Sequence, residues 1–364
     1  MECQWSGDGG ARDGEAKQYR GGGSGSVAPP ADLANCHHTG ERILIGVPSP
    51  LCAALDIGSS TVHLLIARLT EDGTLIRYHE DSVRPLLGAR RGPDGAIPVD
   101  AADDVAVALR RFRDVAHQFG VQRLLVVATE AVRSAPNSTA LIQRWQDAVG
   151  QPIIVLAATQ ETRLALLGAY AGRLPVDGLF ADSGGGSTQV AAIAEGAVAW
   201  QRSLPIGASS LTARYLPSDP PAPPELDAAD RAIRQALATL PPAPNNGGLQ
   251  RVVTGGSAST LQLLAMPGGA PGTLTITFLA QAEAQLAREP SRTIAERFNL
   301  PLERARILGA GCLIVHRLLV WSGSDIWRAS VAGIREGMIR AWSANQQDWP
   351  ATIGASLPWF PNRS

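Results

Sequence analysis

The chain has 364 residues, long enough for two ordinary domains, and 45 % of them are hydrophobic, so sizeable cores can form and global disorder is excluded. Thirty-two basic residues against 33 acidic ones leave a net charge of −1. Nucleic acid is therefore not the expected partner, because phosphate backbones demand a basic surplus. Lys17 is the only lysine, so arginine must supply cationic chemistry elsewhere. The four cysteines (Cys3, Cys36, Cys52 and Cys312) are scattered and form no CxxC pair, which argues against a disulfide scaffold or a structural zinc site. Free thiols in a reducing cytoplasm are expected. "CHH" at 36–38 has no second ligand cluster and is read as incidental.

The first thirty residues are polar and glycine-rich, unlike a secretory signal, and residues 1–45 read as a disordered leader. The apolar run "ILGAGCLIV" stops at His316 and Arg317, short of the roughly 20 residues that a bilayer needs, so no membrane partner is expected. From Leu51, "CAALDIG", "VHLLIARL" and "TLIRYHE" predict three strands. "DDVAVALRRFRDVAHQFG" has apolar residues at helical spacing, with Gly120 as its stop. The strand "RLLVVAT", helix "STALIQRWQDAVG", strand "PIIVLA" and helix "TQETRLALLGAYAG" follow.

After "RLPVDG" the order begins again with strands "LFADSGG", "TQVAAIAEG" and "AVAWQRSLPIG". "LPSDPPAPPEL" and "PPAPNNGG" read as surface loops, and "RVVTGG" as a strand leading to the helix "SASTLQLLA". "LERARILGAGCLIVHRLLVW" predicts a long buried helix, "DIWRASVAG" a strand and "REGMIRAW" a closing helix. The pattern is a duplicated α/β fold: a first lobe at 51–174, a second at 175–345, and a tail at 346–364.

Each lobe opens with a strand, an Asp, a glycine-bearing turn and a second strand: "LCAALDIGSSTVHLLI" and "LFADSGGGSTQVAAI". Such a turn aims several backbone N–H groups at one concavity, where an anion can sit. Gly184, Gly185 and Gly186 permit close approach, and Ser187 and Thr188 add hydroxyls. Asp56 and Asp182 cannot bind phosphate directly but can hold a hydrated Mg²⁺ that does. Gly255, Gly256 and Ser257 form a third glycine turn, at a helix N-terminus. One such turn alone is usually flexible chain; three, two of them with Asp at matching positions, favour a phosphate cleft. There is no GxxxxGK[ST] motif, so a P-loop is excluded.

Five blocks in order, "ALDIGSSTVHLLIA", "ATEAVRSAPN", "ATQETRLALLGA", "ADSGGGSTQV" with "SLPIGASSLTARYL", and "VVTGGSAST", resemble the exopolyphosphatase/guanosine pentaphosphate phosphohydrolase (Ppx/GppA) family. The resemblance runs from about Ala53 to Ala341. It implies two duplicated actin-like (ribonuclease H-like) lobes around a central cleft, and hydrolysis of terminal phosphate from inorganic polyphosphate or guanosine pentaphosphate. Mg²⁺, or Mn²⁺ in its place, is the implied cofactor. By the same resemblance Glu161 is the general base, Arg133 meets a phosphate, and Asp56 and Asp182 organise the metal. Ser60, Thr61, His63 and the turn residues 184–188 contact phosphate. On the residues alone, Glu161 could equally be a first-turn helix glutamate, and Arg163 a solvated partner.

The chain departs from the family pattern at Gln160 and Gln189, where acids are usual, at Ser183, and at Ser60 in place of asparagine. The lost charges would weaken metal affinity or water activation, which leaves a non-catalytic polyphosphate or nucleotide sensor as a competing expectation. A phosphotransferase to a small alcohol rests on the fold alone. The resemblance also implies a homodimer, for which the sequence offers only Trp and Leu residues near 342–360 as exposed candidates.

Overall fold

The computed structural model of the protein describes residues 49–244, 248–265, 272–346 and 348–354. The leader at 1–45, the "CHH" stretch and the end of the tail lie outside the described residues.

The first half opens with an antiparallel meander, β1 (Cys52–Ile57), β2 (Val62–Leu69) and β3 (Leu75–Val83). Helix α1 (Val99–Gln118) then brings the chain back to β4 (Arg123–Ala128), parallel to β1. Its apolar residues Val105, Leu109, Phe112 and Ala116 fall three to four apart and are all buried, which is why the segment is helical. A short α2 (Glu130–Arg133) and α3 (Ser138–Val149) lead to β5 (Ile154–Val155), and α4 (Ala158–Ala169) follows.

The second half begins with β6 (Gly178–Ser183), β7 (Thr188–Ala194) and β8 (Ala197–Leu204). After α5 (Ala208–Tyr215) and α6 (Pro223–Leu237) come β9 (Gln250–Thr254) and α7 (Gly256–Ala265). Then follow β10 (Thr273–Thr275), α8 (Ile276–Leu286), α9 (Ser291–Phe298), α10 (Leu302–Trp321), β11 (Ile326–Ala329), α11 (Ile334–Ala344) and α12 (Trp349–Gly354).

The two sheets run β3-β2-β1-β4-β5 and β10-β11-β9-β6-β7-β8. From its other edge the second repeats the first, β8-β7-β6-β9-β11, with the same antiparallel meander and parallel neighbour. β10 is an added antiparallel edge strand. The fold is thus α/β with two duplicated actin-like lobes.

Three local expectations change. Pro223 and Pro224 do not lie in a loop but open α6, where a missing N–H costs nothing because the first turn has no partner for it. The strand expected over "PIIVLA" pairs only at Ile154–Val155, and that over "DIWRASVAG" ends at Ala329. Residues 273–298, over which the pattern predicts no element, form β10, α8 and α9.

The central strands of each sheet are buried on both faces, while β3 and β8 are largely exposed. Ala53, Leu55 and Ile57 of β1 face the core under α1 and α3, while Cys52 and Ala54 face the other way. On that inner face α4 and α11 cross between the sheets, and the crossing ignores the division at residues 174 and 175. α11, read as part of the second lobe, packs Met338, Ile339, Ala341 and Trp342 against the first sheet. α4, read as part of the first, turns Ala165, Leu166 and Ala169 to Phe180, Ala191 and Val252 of the second. Trp342 and Trp349 are buried in that core and so are not exposed candidates for pairing two copies, while Leu357 and Trp359 lie outside the described residues. Burial of such large apolar side chains stabilises the crossing by roughly 2 kcal/mol or more each.

Candidate active site

β1 and β6 both end at the same cavity, of about 540 Å³. Asp56, one residue before the end of β1, and Asp182, one before the end of β6, line it together. The turns after each strand, Gly58–Thr61 and Gly184–Ser187, also line it, as do Gly255, Gly256 and Ser257 at the start of α7. Hydrogen bonds from Gly58 N to Thr61 O and from Gly184 N to Ser187 O, both 3.0 Å, fold the two turns alike. Among the described residues the N–H groups of Gly185 and Gly186 have no internal acceptor and remain available to a ligand. The first N–H groups of α7 are likewise free by helix geometry.

His63 lines the cavity with them; burial, then Arg335, Arg304 and Arg84, hold its imidazole well below the usual histidine range, so it is neutral. Thr188 and Arg133 are not among the lining residues. Thr188 Oγ1 donates to the Ile206 carbonyl at 2.7 Å. Arg133 lies behind Glu161: its Nη1 donates to Glu161 Oε2 at 3.0 Å and to the Leu156 carbonyl at 2.6 Å.

Glu161, in the first turn of α4, is only 5 % exposed and lines the cavity. Burial raises its pKa, with Glu130 adding to the effect and Arg133 opposing it. Its other oxygen, Oε1, accepts from Gln189 Nε2 at 3.2 Å. Asp56 is pushed up to about 7 by burial and by the charge of Glu161, with Arg335 opposing. Asp182 is also pushed up to about 7, by burial, Glu161 and Asp56. The carboxylates of Asp56, Glu161 and Asp182 thus act on one another in the cavity, and among the described residues their one ion-pair partner is Arg133, for Glu161. Asp56 Oδ1 is buried and, among the described residues, accepts no hydrogen bond.

Three arginines that no sequence motif marks share the cavity with these carboxylates, Arg335 near enough to Asp56 to oppose its rise. Arg84 follows β3, Arg304 is in the first turn of α10, and Arg335 in the first turn of α11; all three line the cavity. None forms an ion pair among the described residues. Arg304 is pushed down to about 10 by burial and by Arg84, the mark of cations crowded without counter-charge. Its guanidinium lies against Gly256, where a side chain would collide with it. The single clue in the sequence was the near-absence of lysine, which names the residue type but not the positions.

Gln160 and Gln189 separate. Gln160 Oε1 accepts the Ala157 N–H at 2.9 Å, capping α4, and Gln160 is not among the cavity-lining residues. Gln189 lines the cavity and contacts Glu161.

The arrangement can hold one divalent cation and an extended polyanion. Mg²⁺ needs only one or two carboxylates, filling its shell with water and phosphate oxygens. An unpartnered Asp56 oxygen and two Asp groups destabilised as anions fit that demand. Among the described residues no group of three or more His, Cys, Asp or Glu side chains forms an all-protein cage. Nor is any described helix long and apolar enough to cross a membrane.

Exopolyphosphatase 1 of Mycobacterium leprae (strain TN) is 27 % identical over 321 residues, spanning 83 % of this chain and 92 % of that protein. Exopolyphosphatase 1 of Mycobacterium tuberculosis (strain ATCC 25618 / H37Rv) is 28 % identical over 320 residues, 83 % of this chain and 91 % of that one. The crystal structure of the Aquifex aeolicus member of the Ppx/GppA protein family aligns with a TM-score of 0.68 at 27 % identity, over 82 % of this chain and 99 % of the other. An exopolyphosphatase structure from Cytophaga hutchinsonii (ATCC 33406), 21 % identical with a TM-score of 0.72, covers 80 % of this chain and 97 % of its own and shares the fold. The model of the Ppx/GppA phosphatase family matches residues 65–346, and the chain belongs to that family.

Proposed function

We propose that the chain is an exopolyphosphatase-type hydrolase that releases the terminal phosphate of inorganic polyphosphate by Mg²⁺-assisted attack of water, with Glu161 as general base. The observation that carries this reading is the single cavity joining the carboxylates of Asp56, Glu161 and Asp182 to unpaired Arg84, Arg304 and Arg335. Asp56 and Asp182 would hold Mg²⁺, or Mn²⁺, which when bound neutralises phosphate charge. The glycine turns at 58–61, 184–187 and 255–257 hold the terminal phosphate through N–H groups, and the arginines meet the phosphates behind it.

Water lies between Glu161 and that phosphate. Its oxygen forms a bond to phosphorus as one proton passes to Glu161, and the bridging P–O bond breaks to leave a chain shorter by one unit. A raised pKa brings Glu161 nearer to the optimum for accepting a proton at neutral pH. Arg133 opposes that rise and so favours the ionised form that accepts the proton.

One observation favours a second substrate. Leu263, Leu300, Pro301, Ile307 and Val331 form an apolar wall of the same cavity, and Leu263 is 63 % exposed. That wall suits the nucleoside of guanosine pentaphosphate better than inorganic polymer. Purified protein with Mg²⁺ should liberate phosphate from polyphosphate, and Glu161→Gln should abolish most of the rate. Faster release from guanosine pentaphosphate would reassign the substrate. Tight binding of both without turnover would make the chain a sensor and overturn the hydrolase reading.

A further inference from the structure

We infer that Gln189 is a positioning residue for Glu161, a neutral hydrogen-bond donor standing where a fourth carboxylate would otherwise face the base. The inference rests on the hydrolase reading above. Gln189 is 1 % exposed, on β7, and pairs in register with Asp182 on β6. Its Nε2 donates to Ser187 Oγ at 2.8 Å and to Glu161 Oε1 at 3.2 Å, with a longer 3.5 Å approach to Ser203 Oγ. The amide nitrogen faces Glu161, matching the ionised base, which can only accept.

Two consequences follow from that bond. Glu161 is gripped from both sides: Arg133, after β4, holds Oε2, and Gln189, from the other sheet, holds Oε1. Each carboxylate oxygen keeps a lone pair for water, while rotation about the terminal bond is blocked. The same amide binds the hydroxyl of Ser187 in the glycine turn, so one side chain sets the base and the phosphate-binding turn in a fixed relation. A glutamate at 189 would instead lie beside Asp182 and Glu161 and could donate nothing while ionised.

Gln189→Met keeps the length and removes the donor; Gln189→Glu keeps the shape and adds charge. We expect Gln189→Met to lower kcat by roughly ten- to hundredfold with KM within about twofold. The Mg²⁺ concentration for half-maximal rate should stay as in the parent. In a Glu161→Gln background the same substitution should change the residual rate less than about twofold, since its effect passes through Glu161. Gln189→Glu should be no faster than Gln189→Met.

A gain of activity in Gln189→Glu, a raised Mg²⁺ requirement in Gln189→Met, or equal losses in the two backgrounds would overturn the proposal. An urea-unfolding double-mutant cycle on Gln189 and Glu161 reads the bond without any phosphate release. Additive losses there would also overturn it. An inactive parent that still shows the coupling would sink the hydrolase reading and leave the Gln189–Glu161 contact standing.

Discussion

The Oγ atoms of Ser60 and Ser209 lie 2.5 Å apart, one on the turn between β1 and β2 and the other in the first turn of α5. Both are buried, so the first sheet's turn meets α5 through a shared hydroxyl proton, and α5 in turn donates the Ser209 N–H to the Gly185 carbonyl of the second turn at 2.9 Å. Gly185 makes this possible: a Cβ there would run into Ser60 Oγ. Ser60→Ala or Ser209→Ala leaves the other hydroxyl buried without a partner, at a cost of about 1–3 kcal/mol. The double alanine variant should lose little more than the worse single one, and chemical denaturation of all four proteins measures that cycle.

The crossing of α4 and α11 depends on backbone contact. A side chain at Gly168 would collide with the Gly333 carbonyl, and one at Gly337 with the Leu164 carbonyl. Backbone on both sides cannot rotate away as a side-chain tip can. Gly337→Ala should therefore destabilise the fold by about 1–3 kcal/mol or more. Gly309, inside α10, has open space around its would-be Cβ, and Gly309→Ala should stabilise by roughly 0.5–1 kcal/mol. Opposite shifts in melting temperature check the pair.

What was legible beforehand follows from the range of each signal. Asp56, Asp182 and their glycine turns were readable because strand, acid and turn are adjacent in sequence. The repeat was readable because both halves spell the same order of elements. The packing of α11 on the first sheet was not, since a helix's apolar stripe does not say which sheet receives it. Gln160 and Gln189 looked alike in sequence, as two acids lost, yet one caps a helix and the other holds the base. Arg84, Arg304 and Arg335 come from three distant segments and are ordinary arginines until folding brings them to one cavity.

Those arginines should set affinity more than turnover. Arg84 and Arg304 form no ion pair with Asp56, Glu161 or Asp182 among the described residues, and in the proposed reaction they meet phosphates behind the one that reacts. Arg304→Ala and Arg84→Ala are each expected to raise KM for long polyphosphate roughly tenfold with kcat within about threefold, as loss of uniform binding does. The KM increase with added salt should be shallower in both variants than in the parent, because fewer charge contacts remain to be screened. Steady-state rates at two ionic strengths give both numbers.

Acid should stabilise the metal-free protein, against the usual trend. Asp56 and Asp182 stand at about 7 in the fold, above the ordinary carboxylate value near 4. Between those values the folded chain holds protons that the unfolded chain has released, so stability falls as pH rises from about 4 to 7. Glu283 works in the opposite sense and lower down. Burial raises it, but His316 and Arg317 outweigh that and bring it to about 2, so its contribution is lost as pH falls below about 4. The chelator-treated protein should melt highest near pH 5 and lower at pH 8. Added Mg²⁺ should recover the melting temperature at pH 8, where both carboxylates are free to bind, and do little at pH 5. Asp56→Asn with Asp182→Asn should flatten the pH 5 to 8 decline and abolish the Mg²⁺ response. A decline and Mg²⁺ shift that survive in that double variant would place the cation elsewhere.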